Sequence, residues 1–525
     1  MNKTRWVLKC FRIRTFSERG LRQGGFSFCV IILTMMESKN QAVGKITGEH
    51  FYKFFQCPHW LWYDVYGEAK KRKEIPPIVE MVQRGKVKDE KRALGNFPFE
   101  EISPEAYKDL DEAFLATVEL MRQGKNIYRG VLLHENWAGT PDLLEARSVA
   151  ELGTGVRSRF GDYYYVAYDI SNNPFISYGQ KFQLVFYSVI LNEIQGIQPR
   201  QAFTINVDGE TQSFFVDDYV DQLHIAKDDI VDILEGKKLA PFLKSGCKSS
   251  PWFALCEDEA QSCNDVSLIY RLSQMEQRLF YDIGIRTIED LAKSNIEEVY
   301  RELPNLNFDR LAHHHLQAQA LAKNESIVLR QSEFPKVRQE IYFDIESDPT
   351  EGIDYLFGIY INEVKTGSGE YKYFFADGKE DEKRAWQEFV DFVDKLEDFV
   401  IYHYALYEQL VFTKLARRYG TPWRVVRKFK DNAIDLLRST TEAVVLPLYF
   451  YSLKDVGRYI GHEWTAKDAG GAESVVWYND WQASKSKKIF DKIIQYNKDD
   501  VLATKVLKEW LELQKPRESH EQLPD

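Results

Sequence analysis

The chain has 525 residues, of which 44% are hydrophobic and 28% are charged. This composition is typical of a folded protein of three or four domains of about 150 residues, and it excludes disordered and fibrous proteins. Basic residues number 69 and acidic residues 80, a net charge of −11. This charge excludes a protein that holds nucleic acid by its bulk charge, but it permits a local basic groove. Six cysteines are too few for a disulfide framework and favour a reducing compartment, so we expect a cytoplasmic protein.

The N-terminal extension, residues 1–42, combines a basic stretch with a short apolar run. Seven of the first 25 residues are Lys or Arg, and FSFCVIILTMM follows at 26–36. This run is shorter than the ~20 residues that span a bilayer, and no small-x-small cleavage site follows it. We therefore expect a translation start assigned too early, with Met35 or Met36 as the true start and a targeting segment as the alternative. No later stretch is apolar and long enough to predict a membrane span.

From residue 43 onward the patterns predict three α/β or helical regions in succession. Residues 43–264 combine a helix that begins after Thr47, a largely helical stretch at 68–125, and strands around IYRGVLLHEN, TPDLLEARSV and YYYVAYDIS. Residues 265–331 are predicted to be helical. Strands and helices alternate over 332–515, which is typical of an α/β domain, and the polar tail at 516–525 is predicted to be disordered.

The C-terminal region contains acidic residues at a spacing that suits metal binding. Asp344 and Glu346 lie two apart on a predicted strand, so both side chains leave the same face. Two acids on one buried face are costly unless a cation neutralises them, and carboxylates suit Mg²⁺ or Mn²⁺. Glu408 lies in the first turn of a predicted helix, and Tyr496 and Asp500 are four apart on another. Four such carboxylates can hold two metal ions about 3.5–4 Å apart, which is the arrangement of two-metal phosphodiester hydrolysis.

In order and separation these motifs resemble those of the DEDD superfamily of 3′–5′ exonucleases, over residues 340–512. The resemblance implies a ribonuclease H-like fold and a Tyr496 that orients the attacking water. It implies four metal ligands, namely Asp344, Glu346, Glu408 and Asp500. The chain departs from the pattern at Glu408, where the superfamily has Asp, and at Tyr404, where it has Asn. The segments DLLRSTTEAVVLP and YSLKDVGRYIG also resemble the YprB-type branch of this fold, which implies substrate or supporting contacts for Asp435 and Lys454.

Residues 43–264 resemble the RecB-like PD-(D/E)XK nucleases. Asp142 follows a glycine turn, Asp169 lies on the next strand, and a helix with Gln183 and Tyr187 follows, as in that family's core. The resemblance therefore implies a second site in this domain. The alternatives are that Asp142 is a turn-forming aspartate and that Gln183 and Tyr187 pack in a core.

The N-terminal domain departs from the family at positions that handle the metal and the phosphate. Ser171 stands where the family has its catalytic lysine, and Lys181 on the next helix is the candidate substitute. The upstream Gly-x-x-His-Glu motif reads GKVKD here, with Lys88 for His and Asp89 for Glu. These departures favour a nucleic-acid-holding or structural role for the domain over independent cleavage.

Two further features accompany this domain. In related RecB-like proteins one upstream and three downstream cysteines bind an iron–sulfur cluster. The resemblance implies such a [4Fe–4S] site, or a zinc site, at Cys57, Cys247, Cys256 and Cys263, although the downstream spacing is wider and free buried thiols are the alternative. The segment LSQMEQRLFYDIGIRTIEDLAKSNIEEVY resembles a helix-hairpin-helix module. It implies nucleic-acid contacts at Gly284, Arg286 and Thr287, with plain helix packing as the alternative.

Together these features resemble RecB-like nucleases that join a PD-(D/E)XK core to a YprB-like ribonuclease H domain. The leading hypothesis is a metal-dependent 3′–5′ exonuclease that acts on DNA or RNA through its C-terminal domain. One alternative is a nucleic-acid-binding accessory protein with impaired sites, and another is cleavage by the N-terminal domain. The sequence contains no GxxxxGK[ST] motif, so a helicase partner would be a separate chain.

Overall fold

The computed structural model describes residues 44–516 except 76, 85, 96, 154, 174 and 467–469. The extension at 1–42 and the tail beyond residue 516 lie outside the described residues, so the predictions for them are not addressed. Among the helices that are described, none is long and apolar enough to cross a membrane.

The N-terminal part of the chain is built around a six-stranded sheet and a small three-stranded one. Its helices are α1 (Gly48–Gln56), α2 (Pro58–Tyr66), α3 (Pro77–Arg84), α4 (Glu90–Leu94), α5 (Leu110–Arg122), α6 (Tyr178–Gln195), α7 (Val220–Leu234) and α8 (Phe253–Ser262). Its strands are β1 (Ile46–Thr47), β2 (Glu100–Glu101), β3 (Ile127–Tyr128), β4 (Leu132–His134), β5 (Trp137–Gly139), β6 (Leu143–Ser148), β7 (Tyr163–Ile170), β8 (Gln201–Ile205) and β9 (Thr211–Phe215). The stretch at 68–125 is less helical than predicted, because it also contains β2, between Pro98 and Pro104.

Strand β7 is the central strand of the larger sheet, whose order is β2-β3-β6-β7-β8-β9. It pairs antiparallel with β6 and parallel with β8. Its sequence YYYVAYDI is buried from the second residue onward, as expected of a strand that is covered on both faces. The long helix α6 is also mostly buried, and its Phe182 and Phe186 share a core with Tyr165 of β7. The polar residue Asp169 therefore lies in a strand that is otherwise apolar and aromatic.

A helical region connects this sheet to the C-terminal one. Its elements are α9 (Gln274–Asp282), α10 (Ile288–Lys293), α11 (Ile296–Glu302), α12 (Phe308–Lys323) and the short strand β10 (Ile327–Val328). Helices α10 and α12 pack against each other, and the buried residues of this region form one apolar cluster with Cys57 and Trp252 of the N-terminal part. The predicted helical character of this stretch is confirmed.

The C-terminal part contains a five-stranded mixed sheet in the order β13-β12-β11-β14-β15. Its strands are β11 (Gln339–Asp348), β12 (Ile353–Glu363), β13 (Ser368–Phe375), β14 (Phe399–His403), β15 (Ala433–Asp435) and, outside this sheet, β16 (Val444–Val445). Its helices are α13 (Glu382–Lys395), α14 (Tyr407–Tyr419), α15 (Trp423–Asn432), α16 (Leu436–Ala443), α17 (Leu453–Tyr459), α18 (Gly471–Ser484) and α19 (Lys487–Leu513). Strand β11 pairs antiparallel with β12 and parallel with β14, so it lies at the centre of the sheet.

Buried aromatic rings fix the helices of this part on its sheet. Phe343 of β11 stacks on Phe389 of α13 with ring centroids 4.8 Å apart, and Phe412 of α14 stacks on Phe429 of α15 at 3.8 Å. Side chains alternate along a strand, so Phe343 faces this core while its neighbour Asp344 faces the other way, towards α19. The packing thereby places the acidic positions of β11 beside α19.

The N- and C-terminal sheets meet at the turn between β11 and β12. The Asn172 side-chain amide, just after β7, donates to the Pro349 carbonyl at 2.5 Å. The Lys88 backbone N–H donates to the Thr350 carbonyl at 3.0 Å. The turn after the strand that carries Glu346 is thus bonded both to the end of the strand that carries Asp169 and to the segment between α3 and α4.

Candidate active site

Three carboxylates converge on one face of the C-terminal sheet. Asp344 and Glu346 project from β11, and Asp500 projects from α19. One oxygen of each lies within 4.8 Å of the others, and Glu346 and Asp500 are buried. Within the described part of the chain, no other group of three or more His, Cys, Asp or Glu side chains meets this distance. The structure thus brings together three of the four carboxylates that the sequence singled out.

Burial raises the pKa values of all three acids, and repulsion within the group adds to the effect for Asp344 and Glu346. Burial, with the charge of Asp500, raises the pKa of Glu346 to about 8. Burial and the neighbouring carboxylates raise the pKa of Asp344 well above its usual value. Burial raises the pKa of Asp500 to about 6, although the Trp464 indole and the Lys454 ammonium act in the opposite direction. A buried set of hard oxygen donors that repel one another fits a divalent cation such as Mg²⁺ or Mn²⁺, which would bind as the protons leave.

Neutral side chains hold two of these carboxylates in place. The Asn497 amide donates to Asp344 Oδ2 at 2.7 Å, and the Trp464 indole N–H donates to Asp500 Oδ1 at 2.6 Å. The Tyr371 hydroxyl in turn donates to Asn497 Oδ1 at 2.9 Å. Asn497 fits because Gly358 of β12 has no side chain, and a Cβ there would lie 1.5 Å from Asn497 Oδ1. Sequence reasoning missed these residues, and the only signal was an asparagine directly after Tyr496.

Tyr496 and Lys454 lie together beside the cluster. The Lys454 ammonium donates to the Tyr496 hydroxyl at 3.2 Å and lies 4.6 Å from the centroid of its ring. Burial and the nearby carboxylates raise the pKa of Tyr496 far above its usual value, so the phenol keeps its proton at neutral pH. Burial lowers the pKa of Lys454, against the attraction of Asp500 and Glu346. The pair therefore offers a neutral O–H and an ammonium next to the acids.

Glu408 lies in the first turn of α14 as predicted, but its carboxylate does not join the three-oxygen group. Its Oε2 lies 3.6 Å from Nδ1 of the fully buried His403. The turn before the helix is unusual, since Ala405 has φ +65° and its N–H donates to Asp435 Oδ1 at 2.8 Å. Three of the four predicted carboxylates therefore converge, and the role of Glu408 as a fourth metal ligand stays a prediction.

The N-terminal domain contains the predicted acid pair, with a lysine between the two acids. Asp142 and Asp169 both accept from the Lys86 ammonium, each at 2.6 Å. The Ile170 N–H also donates to Asp142 at 2.7 Å, and the Gln180 amide donates to Asp169 Oδ2 at 3.0 Å. Asp142 is buried, but the Lys86 ammonium keeps its pKa below the usual value for an aspartate. Burial instead raises the pKa of Asp169 to about 6.

The other residues predicted for this site lie elsewhere or play other parts. Lys181 donates to the Tyr219 hydroxyl at 2.8 Å, and no hydrogen bond or ion pair joins it to either described carboxylate. Asp89 caps α4 by accepting from the Arg92 N–H at 3.1 Å. Gln183 and Tyr187 bond to each other at 2.8 Å. The lysine that contacts the acid pair is therefore Lys86, from the GKVKD segment, and not Lys181. Sequence reasoning missed both Lys86 and Gln180.

The cysteines are only partly gathered. Cys57, Cys247 and Cys256 are buried, and the thiols of Cys57 and Cys256 are 3.8 Å apart. The hydrogen bond to Cys57 and burial raise the pKa of the Cys247 thiol well above its usual value. Cys263 is exposed at the end of α8, about two helical turns beyond Cys256. The arrangement lends no support to a four-cysteine iron–sulfur or zinc site, and Cys57, Cys247 and Cys256 lie in an apolar core as free thiols.

The helical hairpin uses its backbone donors within the chain. Gly284 adopts the left-handed conformation, φ +85°, between α9 and α10. The N–H groups of Arg286 and Thr287 both donate to Asp290 Oδ2, at 3.0 and 2.8 Å. These amides already have a carboxylate partner, so the contacts predicted for the hairpin stay a prediction.

Comparison with known proteins identifies the fold of the region that contains the acidic cluster. No curated protein and no solved structure matches the chain. Residues 341–512 match the RNase_H_2 family model, which belongs to the RNase_H superfamily. The match begins within β11 and ends within α19, so it includes the five predicted catalytic residues as well as Asp435 and Lys454. The fold predicted for this part is confirmed, and residues 341–512 form an RNase H-like domain.

Proposed function

We propose that the protein is a metal-dependent 3′–5′ exonuclease that hydrolyses phosphodiester bonds of DNA or RNA in its C-terminal domain. The observation that carries this proposal is the group of Asp344 and the buried Glu346 and Asp500, one oxygen of each lying within 4.8 Å of the others. Its position in an RNase H-like domain supports nucleic acid as the substrate class. The order of the motifs along the chain, including Tyr496, supports the exonuclease type.

The three carboxylates are the proposed ligands of Mg²⁺ or Mn²⁺, with Glu408 as the fourth. Bound divalent ions supply positive charge that stabilises the attacking and leaving oxygens of the phosphodiester. Asn497 and Trp464 keep Asp344 and Asp500 in fixed orientations through hydrogen bonds of 2.7 and 2.6 Å. The chain thus pre-orients its ligands, which reduces the reorganisation needed during the reaction.

Tyr496 and Lys454 are proposed to contact the attacking water and the substrate rather than the metal. The phenol is protonated at neutral pH because burial and the acids raise its pKa, so it can hold the attacking water by a hydrogen bond. Lys454 is bonded to this hydroxyl at 3.2 Å and provides a positive charge for the phosphate of the bound strand.

Degradation of 5′-labelled single-stranded DNA and RNA with Mn²⁺ or Mg²⁺ tests the proposal. Stepwise shortening by the wild type is expected, with loss of the activity in Asp344→Asn. Glu370→Gln, which alters an exposed acid of the same domain, is the matched control and retains activity. Activity that survives Asp344→Asn overturns the proposal and transfers the chemistry to Asp142 and Asp169.

A second candidate function is that of a nucleic-acid-binding accessory protein. The observation that favours it is confined to the N-terminal domain, where Lys86 already neutralises the acid pair. Binding of both labelled strands without any shortening, by a folded wild-type protein, is the result that this alternative predicts.

A further inference from the structure

Lys86 occupies the central position of the N-terminal acid pair. Its ammonium lies 2.6 Å from Asp142 Oδ2 and 2.6 Å from Asp169 Oδ1, so one cation bridges two carboxylates. The side chains are largely shielded from solvent, with exposures of 27% for Lys86, 15% for Asp142 and 7% for Asp169. Two buried acids need a compensating positive charge, and here the chain itself provides it.

Further polar groups of the pair are also in use. Asp142 Oδ2 accepts a second hydrogen bond from the Ile170 N–H at 2.7 Å. Asp169 Oδ2 accepts from the Gln180 amide at 3.0 Å, and this amide also donates to Ser171 Oγ at 2.9 Å. A divalent cation at this pair would have to displace the ammonium or lie beside it, and two cations at that separation repel each other strongly.

The segment that carries Lys86 is anchored on both sides. The Lys86 N–H donates to the Met81 carbonyl at 2.9 Å, and the next residue, Val87, is buried in the N-terminal core. Lys88 then bonds the RNase H-like domain, through its N–H to the Thr350 carbonyl at 3.0 Å and its ammonium to Glu351 at 2.9 Å. Lys86 is therefore held by its own N–H and by the two residues that follow it, which keeps its ammonium at the acid pair.

We propose that Lys86 is the resident cation of the Asp142–Asp169 pair and that it excludes divalent metal from the N-terminal domain. Lys86 then takes the position that a metal ion would occupy, and its two ion pairs hold α3, α4 and residues 86–89 between the two sheets. Removal of the ammonium is expected to expose two unpaired carboxylates and to open the site to a divalent ion of the hard-ligand class. This inference does not depend on hydrolysis by the C-terminal domain.

The test counts Mn²⁺ ions bound to the full chain, by electron paramagnetic resonance of the free ion during titration. Lys86→Met is expected to bind one ion more than the wild type. Lys181→Met, which removes a lysine of the same domain that contacts neither carboxylate, is the matched control and binds the wild-type number. In Lys86→Met/Asp142→Asn the additional ion is expected to disappear.

Two results overturn the proposal. One is a folded Lys86→Met variant that binds no additional ion. The other is an Asp142→Asn variant that binds one ion fewer than the wild type, because the wild-type pair would then already hold metal. This second comparison decides the matter even if Lys86→Met does not fold. If the C-terminal cluster binds no metal, the wild-type count is zero, and the difference between variants is unaffected.

Discussion

Trp464→Phe removes the indole N–H that donates to Asp500 Oδ1 at 2.6 Å. The Trp464 side chain is 4% exposed and Asp500 is 8% exposed, so solvent does not readily replace the lost donor. The hydrogen bond stabilises the ionised carboxylate and is one reason why the pKa of Asp500 is no higher than about 6. Its loss is therefore expected to raise that pKa.

The size of the effect follows from the kind of hydrogen bond that is lost. A bond to a charged group contributes about 1.5–3 kcal/mol, and one pKa unit corresponds to about 1.4 kcal/mol. Trp464→Phe is thus expected to raise the pKa of Asp500 by about 1–2. Because metal binding requires the ionised carboxylate, Mn²⁺ affinity is expected to fall about 2- to 10-fold at pH 7, and about 10- to 100-fold only well below pH 6, where Asp500 is largely protonated in both proteins.

Mn²⁺ titration between about pH 6 and 9 measures this effect, with nuclease activity as a second readout. The variant is expected to approach the wild type at the alkaline end, where Asp500 is ionised in both proteins. Trp386→Phe is the matched control, because its buried indole donates to Thr421 in the same domain and not to an acid. An unchanged pH dependence in Trp464→Phe, or the same change in Trp386→Phe, would refute the reasoning.

Three further predictions concern the pKa of Glu346, the packing around Asn497, and the contacts of Lys88 with the RNase H-like domain. The metal-free protein is expected to lose stability as the pH rises from about 4 to 8, because Glu346, with a folded-state pKa of about 8, keeps a proton that the unfolded chain has released. Thermal unfolding with and without Mg²⁺ measures this change in stability. A dependence of stability on pH that Mg²⁺ leaves unchanged would contradict the prediction. Gly358→Ala is expected to displace Asn497 and to lower metal affinity at least tenfold. Tyr371→Phe removes only the hydrogen bond to Asn497 and is expected to lower metal affinity less. Equal losses of metal affinity in the two variants would contradict the proposed packing. Lys88→Ala removes an ion pair with Glu351, a hydrogen bond to Asn479 and the nearby charge of Lys88 from the fully buried Asp348, and is expected to cost about 1–3 kcal/mol in a denaturant titration. Glu351→Ala removes only the partly exposed pair and is expected to cost at most about 1 kcal/mol.

The sequence by itself determined the features that depend on local periodicity. Alternation along a strand put Asp344 and Glu346 on one face, and helical spacing put Tyr496 and Asp500 on another. The position of Glu408 after a strand and at the start of a helix was equally readable. The RNase H-like fold of residues 341–512 was predicted from the resemblance of these motifs, in this order, to those of the DEDD exonucleases, and the family match supports it.

Only the tertiary structure decided which side chains complete each acidic group. Gln180 rather than Gln183 bonds Asp169, because the packing of α6 on the sheet places Gln180 beside the acid while Gln183 bonds Tyr187. Lys86 reaches Asp142 and Asp169 from more than fifty residues away, although Lys181 is nearer in sequence to Asp169. Such pairings depend on how distant segments pack, because a side chain reaches only a few ångströms and the fold determines what lies within that distance.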